Sequence, residues 1–221
     1  MFYIILIIYI IFVIYHCILL KKYNRYGRIL YIKDINEVDK HLISLNPIVS
    51  SYITSLSFAD LLTINPTYII KDDKRLLSLK SFKDEKQLYL YKNKDIIHDL
   101  HLKPEILSYL FKNLYYLKNN TLSLYKGNII TNTIKCINNY KTIHILHGET
   151  TFYLFNPKHE KEIKDKSLHE IKKWSHKIQL KKHSFIIIPP QWHYIQISEK
   201  ETIQYDIDIN TYFTFFIKYF Y

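Results

Sequence analysis

The sequence predicts a mainly β domain with accessory helices, preceded by one N-terminal transmembrane helix. Three observations predict it. Residues 1–20, MFYIILIIYIIFVIYHCILL, carry no Asp, Glu, Lys or Arg. Near the middle, Ile106 to Leu117 keeps one apolar stripe at helical spacing. From Thr121 onward the pattern changes to short strand candidates separated by turn residues, which suits a sandwich or barrel.

The leader comes first. Twenty apolar residues at a helical rise span about 30 Å, the hydrocarbon thickness of a bilayer. His16 is its only readily ionised side chain and lies near one end, within reach of the interface. A cleaved signal would carry a basic start and a small-residue cleavage site, and neither is visible, so a retained anchor is expected. Lys21, Lys22, Arg25 and Arg28 follow the span and no Lys or Arg precedes it. The positive-inside rule then puts the C-terminal domain in the cytosol. Residues 21–33 read as a basic juxtamembrane linker and 34–221 as the folded domain.

Asp34 stands three residues before Glu37, the spacing of a capping box. Ile35, Val38, His41, Leu42 and Leu45 follow at helical spacing, so 35–45 is a short helix closed by Asn46-Pro47. Residues 48–95 are mixed, with strand-like runs at Thr67–Ile70 and Gln87–Tyr91. Pro104-Glu105 opens the striped helix, through Ile106, Leu107, Leu110, Phe111, Leu114 and Leu117, and Lys118-Asn119-Asn120 ends it. That stripe packs on the barrel or forms a homo-oligomer face. The strands expected next are Thr121–Tyr125, Asn128–Ile134, Thr142–His147, Thr150–Phe155, Lys177–Leu180, Ser184–Ile188, His193–Ile197, Thr202–Ile209 and Tyr212–Lys218.

Composition narrows the class. Hydrophobic residues make up 48% of 221, so most of the chain is not disordered. Tyr, Ile, Lys and Asn are abundant and Gly is rare, as in A/T-rich coding sequence. The net charge of +11 comes from scattered Lys, without a compact basic block or a nucleic-acid motif. Cys17 and Cys136 make no disulfide framework and fit a reducing compartment. No Ser-His-Asp arrangement, Walker loop or CxxC pair occurs.

Three segments then appear in order. Ile143–Pro157, IHILHGETTFYLFNP, is a strand, a Gly148 turn and a strand. Trp174 stands before Ile178-Gln179-Leu180. Leu180–Ile197, LKKHSFIIIPPQWHYIQI, is an apolar strand, a Pro-Pro turn and a second strand. Together with the closing run Glu201–Phe216, this set resembles cupin-like and Jumonji C-related domains, over about residues 120–218. The resemblance implies a double-stranded β-helix, or jelly roll. The variant I-P-P-x-W-x-Y-x-I resembles a degenerate branch of cupin-like proteins in large DNA viruses, and a viral relative would sit in a virion or host membrane.

Active members of the family hold Fe(II) with His-x-Asp and a distal His, and bind 2-oxoglutarate. Carried over by spacing from Gly148, the His and Asp positions fall on Lys135 and Ile137. The distal His position falls on Tyr194, with His193 one residue early and expected to point away from the cavity. The position of the 2-oxoglutarate-binding Lys or Arg falls on Thr150. Lys135, Ile137 and Tyr194 do not supply the two His and one carboxylate of a facial triad. No catalytic, cofactor-binding or metal-binding residue is therefore expected, and the domain reads as a membrane-anchored pseudo-dioxygenase with a binding or scaffolding role toward a partner protein.

Alternatives stay open. His144, His147, Glu149 and His193 form a replacement metal set if they converge, against a reading of His147 and Glu149 as exposed at a hairpin tip. An active Fe(II)/2-oxoglutarate hydroxylase needs His193 in the cavity and a second His with a carboxylate elsewhere, Glu149 or Asp206 being the nearby carboxylates. Cys136 beside Lys135 is an activated thiol or an ordinary strand cysteine. Trp192 stacks on a ligand or packs on the sheet. A nucleic-acid-binding protein needs a contiguous basic face.

Overall fold

The computed structural model describes residues 2–23, 27–53, 58–72, 75–81, 88–99, 106, 110 and 116–211. The leader is helical: α1 runs Phe2–Tyr23. Counted over the described residues, no helix is long and apolar enough to cross a membrane. The side chains of Phe2, Phe12, residues 15–17 and residues 19–23 lie outside those described.

An N-terminal layer follows: β1 (Leu30–Tyr31), α2 (Val38–His41), β2 (Ile48–Ser51), α3 (Phe58–Ile64), β3 (Ile69–Asp72), β4 (Arg75–Ser78), β5 (Leu88–Asn93) and α4 (Asp95–Asp99). The barrel strands are β6 (Tyr116–Lys126), β7 (Ile129–Ile130), β8 (Ile134–Lys135), β9 (Tyr140–His147), β10 (Glu149–Phe155), β11 (Ser175–Lys181), β12 (Ser184–Ile188), β13 (His193–Ser198) and β14 (Thr202–Thr211). Two short helices, α5 (Glu160–Ile163) and α6 (Leu168–Ile171), join β10 to β11.

The strands form two main sheets. The larger has the order β1-β2-β12-β9-β14-β6-β5, and the smaller β11-β10-β13-β7 with β8 also on β13. From β6 to β14 the chain passes between the sheets in the winding of a jelly roll, as the resemblance implies. β3 and β4 make a separate ribbon.

Three apolar clusters explain the sequence patterns. Between the sheets lie Ile143, Ile145, Phe152, Leu154, Ile178, Leu180, Ile186, Ile188, Trp192 and Tyr194. On the outer face of the larger sheet, Phe185, Ile187, Ile203, Tyr205, Ile207 and Ile209 meet Val38, Leu42, Leu61 and Ile96 of the N-terminal layer. On the outer face of the smaller sheet, Tyr153, Phe155 and Ile195 meet Ile163 and Ile171 of α5 and α6. β12 is thus buried on both faces, and its apolar run does not alternate.

Seven of the nine expected strands are present in recognisable form, and Asn128–Ile134 is divided into β7 and β8. Thr131 breaks it: its N–H bonds Gln196 O, and its Oγ1 accepts from Gln196 N at 3.0 Å. The strand expected at 212–218 lies outside the described residues. So does most of the striped helix, of which Ile106 and Leu110 are described and buried. One boundary is corrected. Lys118-Asn119-Asn120 does not end a helix; it lies inside β6, which pairs with β14 from Tyr116 to Tyr125. Long-range pairing overrides the local turn composition there. The 35–45 helix is a short α2 between two 3-10 turns. Asp34 caps it by accepting from Asn36 N at 2.9 Å, while Glu37 pairs with Lys40. The end of the expected linker is docked: Leu30 and Tyr31 pair with β2, and Ile29 packs against the inter-sheet core.

Candidate functional site

The distal end of the barrel interior is where the resemblance places metal chemistry. β8 pairs with β13 so that Ile134 faces Tyr194 and Lys135 faces His193. Neighbouring strand residues point to opposite faces. Tyr194 belongs to the inter-sheet core, 1% exposed, with its ring centroid 6.2 Å from that of Phe152. Ile134 and Cys136 share that side. Lys135 and His193 therefore lie on the outer face, and Ile137 is exposed beyond the strand end. Counting by the family spacing selects Lys135 and Ile137, whereas the inward side chains at this end are Ile134 and Cys136. The Cys136 thiol is buried and lies 3.5 Å from Ile188 O, the placement of an ordinary core cysteine.

The other half of the interior is polar. β14 sends Ile203, Tyr205, Ile207 and Ile209 outward, and Gln204, Asp206, Asp208 and Asn210 inward. Lys141 of β9 joins them. Its ammonium is 3.1 Å from Asp208 Oδ1 and 3.4 Å from Asp206 Oδ1, with the side chains 3%, 10% and 1% exposed in that order. Ser123 of β6 donates to Asp206 Oδ2 at 2.7 Å. Gln204 Nε2 is 3.2 Å from both Asp206 oxygens, and Gln196 Nε2 donates to Gln204 Oε1 at 2.7 Å. Asn210 Nδ2 donates to Asn138 Oδ1 at 3.1 Å. Thr121 Oγ1, opposite Asp206, and Asn210 Oδ1 are buried and make no hydrogen bond among the described residues.

This ladder contains residues the sequence did not single out: Lys141, Ser123, Gln196, Gln204 and Asp208. Alternating polar residues along Gln204–Asn210 normally mark a solvent face. The signal that distinguishes them is position. The closing strand of a jelly roll lies inside the larger sheet, where both faces are covered.

The fit to Fe(II) and 2-oxoglutarate follows from these donors. A facial triad needs two imidazoles and a carboxylate around one point. The inward residues at the expected positions are Ile, Cys and Tyr, and the nearest carboxylates are held by an ammonium. Thr150 faces inward, but its hydroxyl donates to Ile197 O at 2.9 Å. The residues do not fit the group. Among the described residues, no three His, Cys, Asp or Glu side chains are grouped to hold a metal ion.

The replacement ligands do not converge. His144 faces outward, with Nε2 3.2 Å from Tyr52 O, and burial pushes its pKa down to about 4. His147 and Glu149 flank Gly148, whose φ is +77°. They pair elsewhere, His147 with Glu201 at 3.7 Å and Glu149 with Lys200 at 2.9 Å. The Lys200 hydrogen bond holds the Glu149 carboxyl below its usual range. Trp192 is fully buried against the sheet, and Trp174 lies outside the barrel with Lys173 Nζ 4.3 Å from its ring centroid.

His193 lines an outer cleft of about 490 Å³ with Lys135, Glu160, Lys164, Asp165 and Lys166. Lys135 Nζ donates to Glu160 Oε1 at 2.7 Å, and His193 Nε2 is 3.9 Å from the same oxygen. The Lys135 hydrogen bond lowers the Glu160 pKa, and burial lowers that of His193.

No protein-family model matches the chain. No curated protein matches it. Among solved structures, it is similar to the coconut allergen cocosin, at 9% identity and a TM-score of 0.34, over 43% of this chain and 22% of that one. It is also similar to the cupin domain of Schizosaccharomyces pombe Cnp3, at 11% identity and a TM-score of 0.32, over 42% of this chain and 52% of that one. The chain thus spans about a fifth and about half of those two proteins.

Proposed function

We propose that this chain is a membrane-anchored jelly-roll protein with a binding role, a degenerate relative of Jumonji C-type oxygenases that does not perform iron-dependent oxygenation. One observation carries the reading. The barrel interior has Ile134, Cys136 and Tyr194 at its distal end, and the cation between Asp206 and Asp208 is the Lys141 ammonium. That charge occupies the place beside the carboxylates that a metal ion would need. Thr121 and Asn210 retain hydrogen-bonding capacity inside the barrel, which favours a polar ligand over an inert core. The hydroxylase reading needs His193 in the cavity, and the register with Lys135 opposes it.

The anchor rests on the sequence of residues 1–20, twenty residues without Asp, Glu, Lys or Arg that in a helix would span about 30 Å. Ile4, Ile5, Ile7, Ile8, Ile11 and Ile14 of α1 are exposed, and such a surface needs an apolar medium. The basic residues after it favour a cytosolic domain, and a sequence with Cys17 and Cys136 as its two cysteines agrees. On the resemblance to the viral branch, the membrane is that of a virion or of its host.

The test uses the full chain in neutral detergent. After anaerobic Fe(II) loading and desalting, it retains no stoichiometric iron, and 2-oxoglutarate leaves its melting temperature unchanged. Stoichiometric iron with 2-oxoglutarate turnover overturns the non-catalytic reading. Release from phosphatidylcholine vesicles by alkaline carbonate overturns the anchor.

A further inference from the structure

α1 ends at Tyr23, and Gly27 is already lodged on the barrel. A Cβ at Gly27 would overlap the Asn156 amide and lie 2.8 Å from the Trp192 ring. Only glycine permits this approach. Four residue steps reach at most about 14 Å. If α1 is in the bilayer, the Trp192–Asn156 end of the barrel is held at its surface.

The outer cleft opens at this same end. His193 follows Trp192 in the chain and pairs with Phe155, the neighbour of Asn156. Cys136 N–H bonds Trp192 O at 2.8 Å, which brings the adjacent Lys135 to the same place. Lys164 and Lys166 are exposed on a turn whose central residue, Asp165, has a left-handed φ of +57°. That conformation is uncommon for a residue other than glycine and fixes the two lysines on either side of the turn. Among the described residues of the lining, Lys135, Lys164 and Lys166 exceed Glu160 and Asp165 by one positive charge. Lys21, Lys22, Arg25 and Arg28 add positive charge along the tether. Among the described residues of the lining, Ile163 alone is apolar, which favours a polar group over an acyl chain.

We propose that this cleft takes the phosphate headgroup of an anionic lipid from the leaflet surface beside α1. The inference rests on the anchored reading. Lysine ammoniums bind phosphate oxygens as point charges, and a tether this short keeps the cleft within the layer where the surface potential acts. Binding the headgroup gives the barrel a fixed orientation on the membrane rather than free rotation about its linker.

The test places the full chain in nanodiscs of phosphatidylcholine, with or without phosphatidic acid, and reads lysine acylation by mass spectrometry. Lys164 and Lys166 are expected to be protected about tenfold in the phosphatidic acid discs, with protection lost at high salt. Soluble inorganic phosphate added to phosphatidylcholine discs distinguishes the source: protection there at equal phosphate concentration overturns the lipid assignment. The Lys164→Glu, Lys166→Glu double variant, altered only at exposed positions, should lose salt-sensitive protection at Lys135. Equal labelling in both disc compositions sinks the headgroup site while leaving the anchor intact. A chain that carbonate strips from phosphatidylcholine vesicles fails at the anchor, and the headgroup site falls with it.

Discussion

His193 and Tyr194 are adjacent, yet one lines a surface cleft and the other fills the barrel core. A single step along a strand decides whether an imidazole is a metal ligand or an outer-face residue. His144 shows a second consequence of placement. It is packed between Tyr52 and Phe185, with ring centroids at 6.1 and 6.2 Å. Burial lowers its pKa from 6.5 to about 4. Above pH 6.5 the imidazole is neutral in the folded and unfolded chains alike. As the pH falls from 6.5 to about 4, the unfolded chain takes up a proton that the folded chain resists, so stability drops across that window and levels off below it. The loss reaches at most about 3 kcal/mol. Urea unfolding at several pH values should show this component in the native chain. In His144→Phe it should be absent, and an unchanged pH profile would refute the assignment.

At the scale of elements, β14 is the most informative. Its outward face is apolar and its inward face is a line of amide and carboxylate side chains held by Lys141. Replacing Lys141 by Met leaves two buried carboxylates without their ammonium and should destabilise the domain by about 3–5 kcal/mol. Adding Asp206→Asn and Asp208→Asn to that variant should recover much of the loss, as measured by denaturant midpoint. No recovery would mean that Lys141 acts through packing rather than charge. The strands themselves were legible, because Thr142–His147, Ser184–Ile188 and Thr202–Ile209 combine β-branched residues with turn residues at their ends. β6 was legible only in part. Its first residues have the composition of a helix end, and only the pairing partner more than eighty positions later makes them a strand. The interior ladder was hidden for a related reason. A polar residue at every second position states a period, but which face meets solvent depends on layers contributed by distant segments.

At the scale of the whole molecule, the barrel is an inner layer covered on both sides. The N-terminal layer covers the larger sheet, α5 and α6 cover the smaller, and Gly27 touches the distal end. Gly27 is one of the contacts that join the segment 27–31 to the barrel, with Ile29 and the Leu30–Tyr31 pairing beside it. Gly27→Val should cost about 1–3 kcal/mol, because the added atoms meet Trp192 and Asn156 and force one of them to move. Thermal unfolding of the full chain in detergent measures this, and a melting temperature equal to that of the native chain would show that residue 27 is not fitted to Trp192. The position of β14 has a further effect, on the order of assembly. It lies between β9 and β6, yet it follows both in the chain, so neither can complete its pairing until β14 arrives. Closing contacts at such sequence separation is slow, and until then β6 and β9 present open edges to any other strand. The interval before closure is therefore when this protein is most exposed to mispairing.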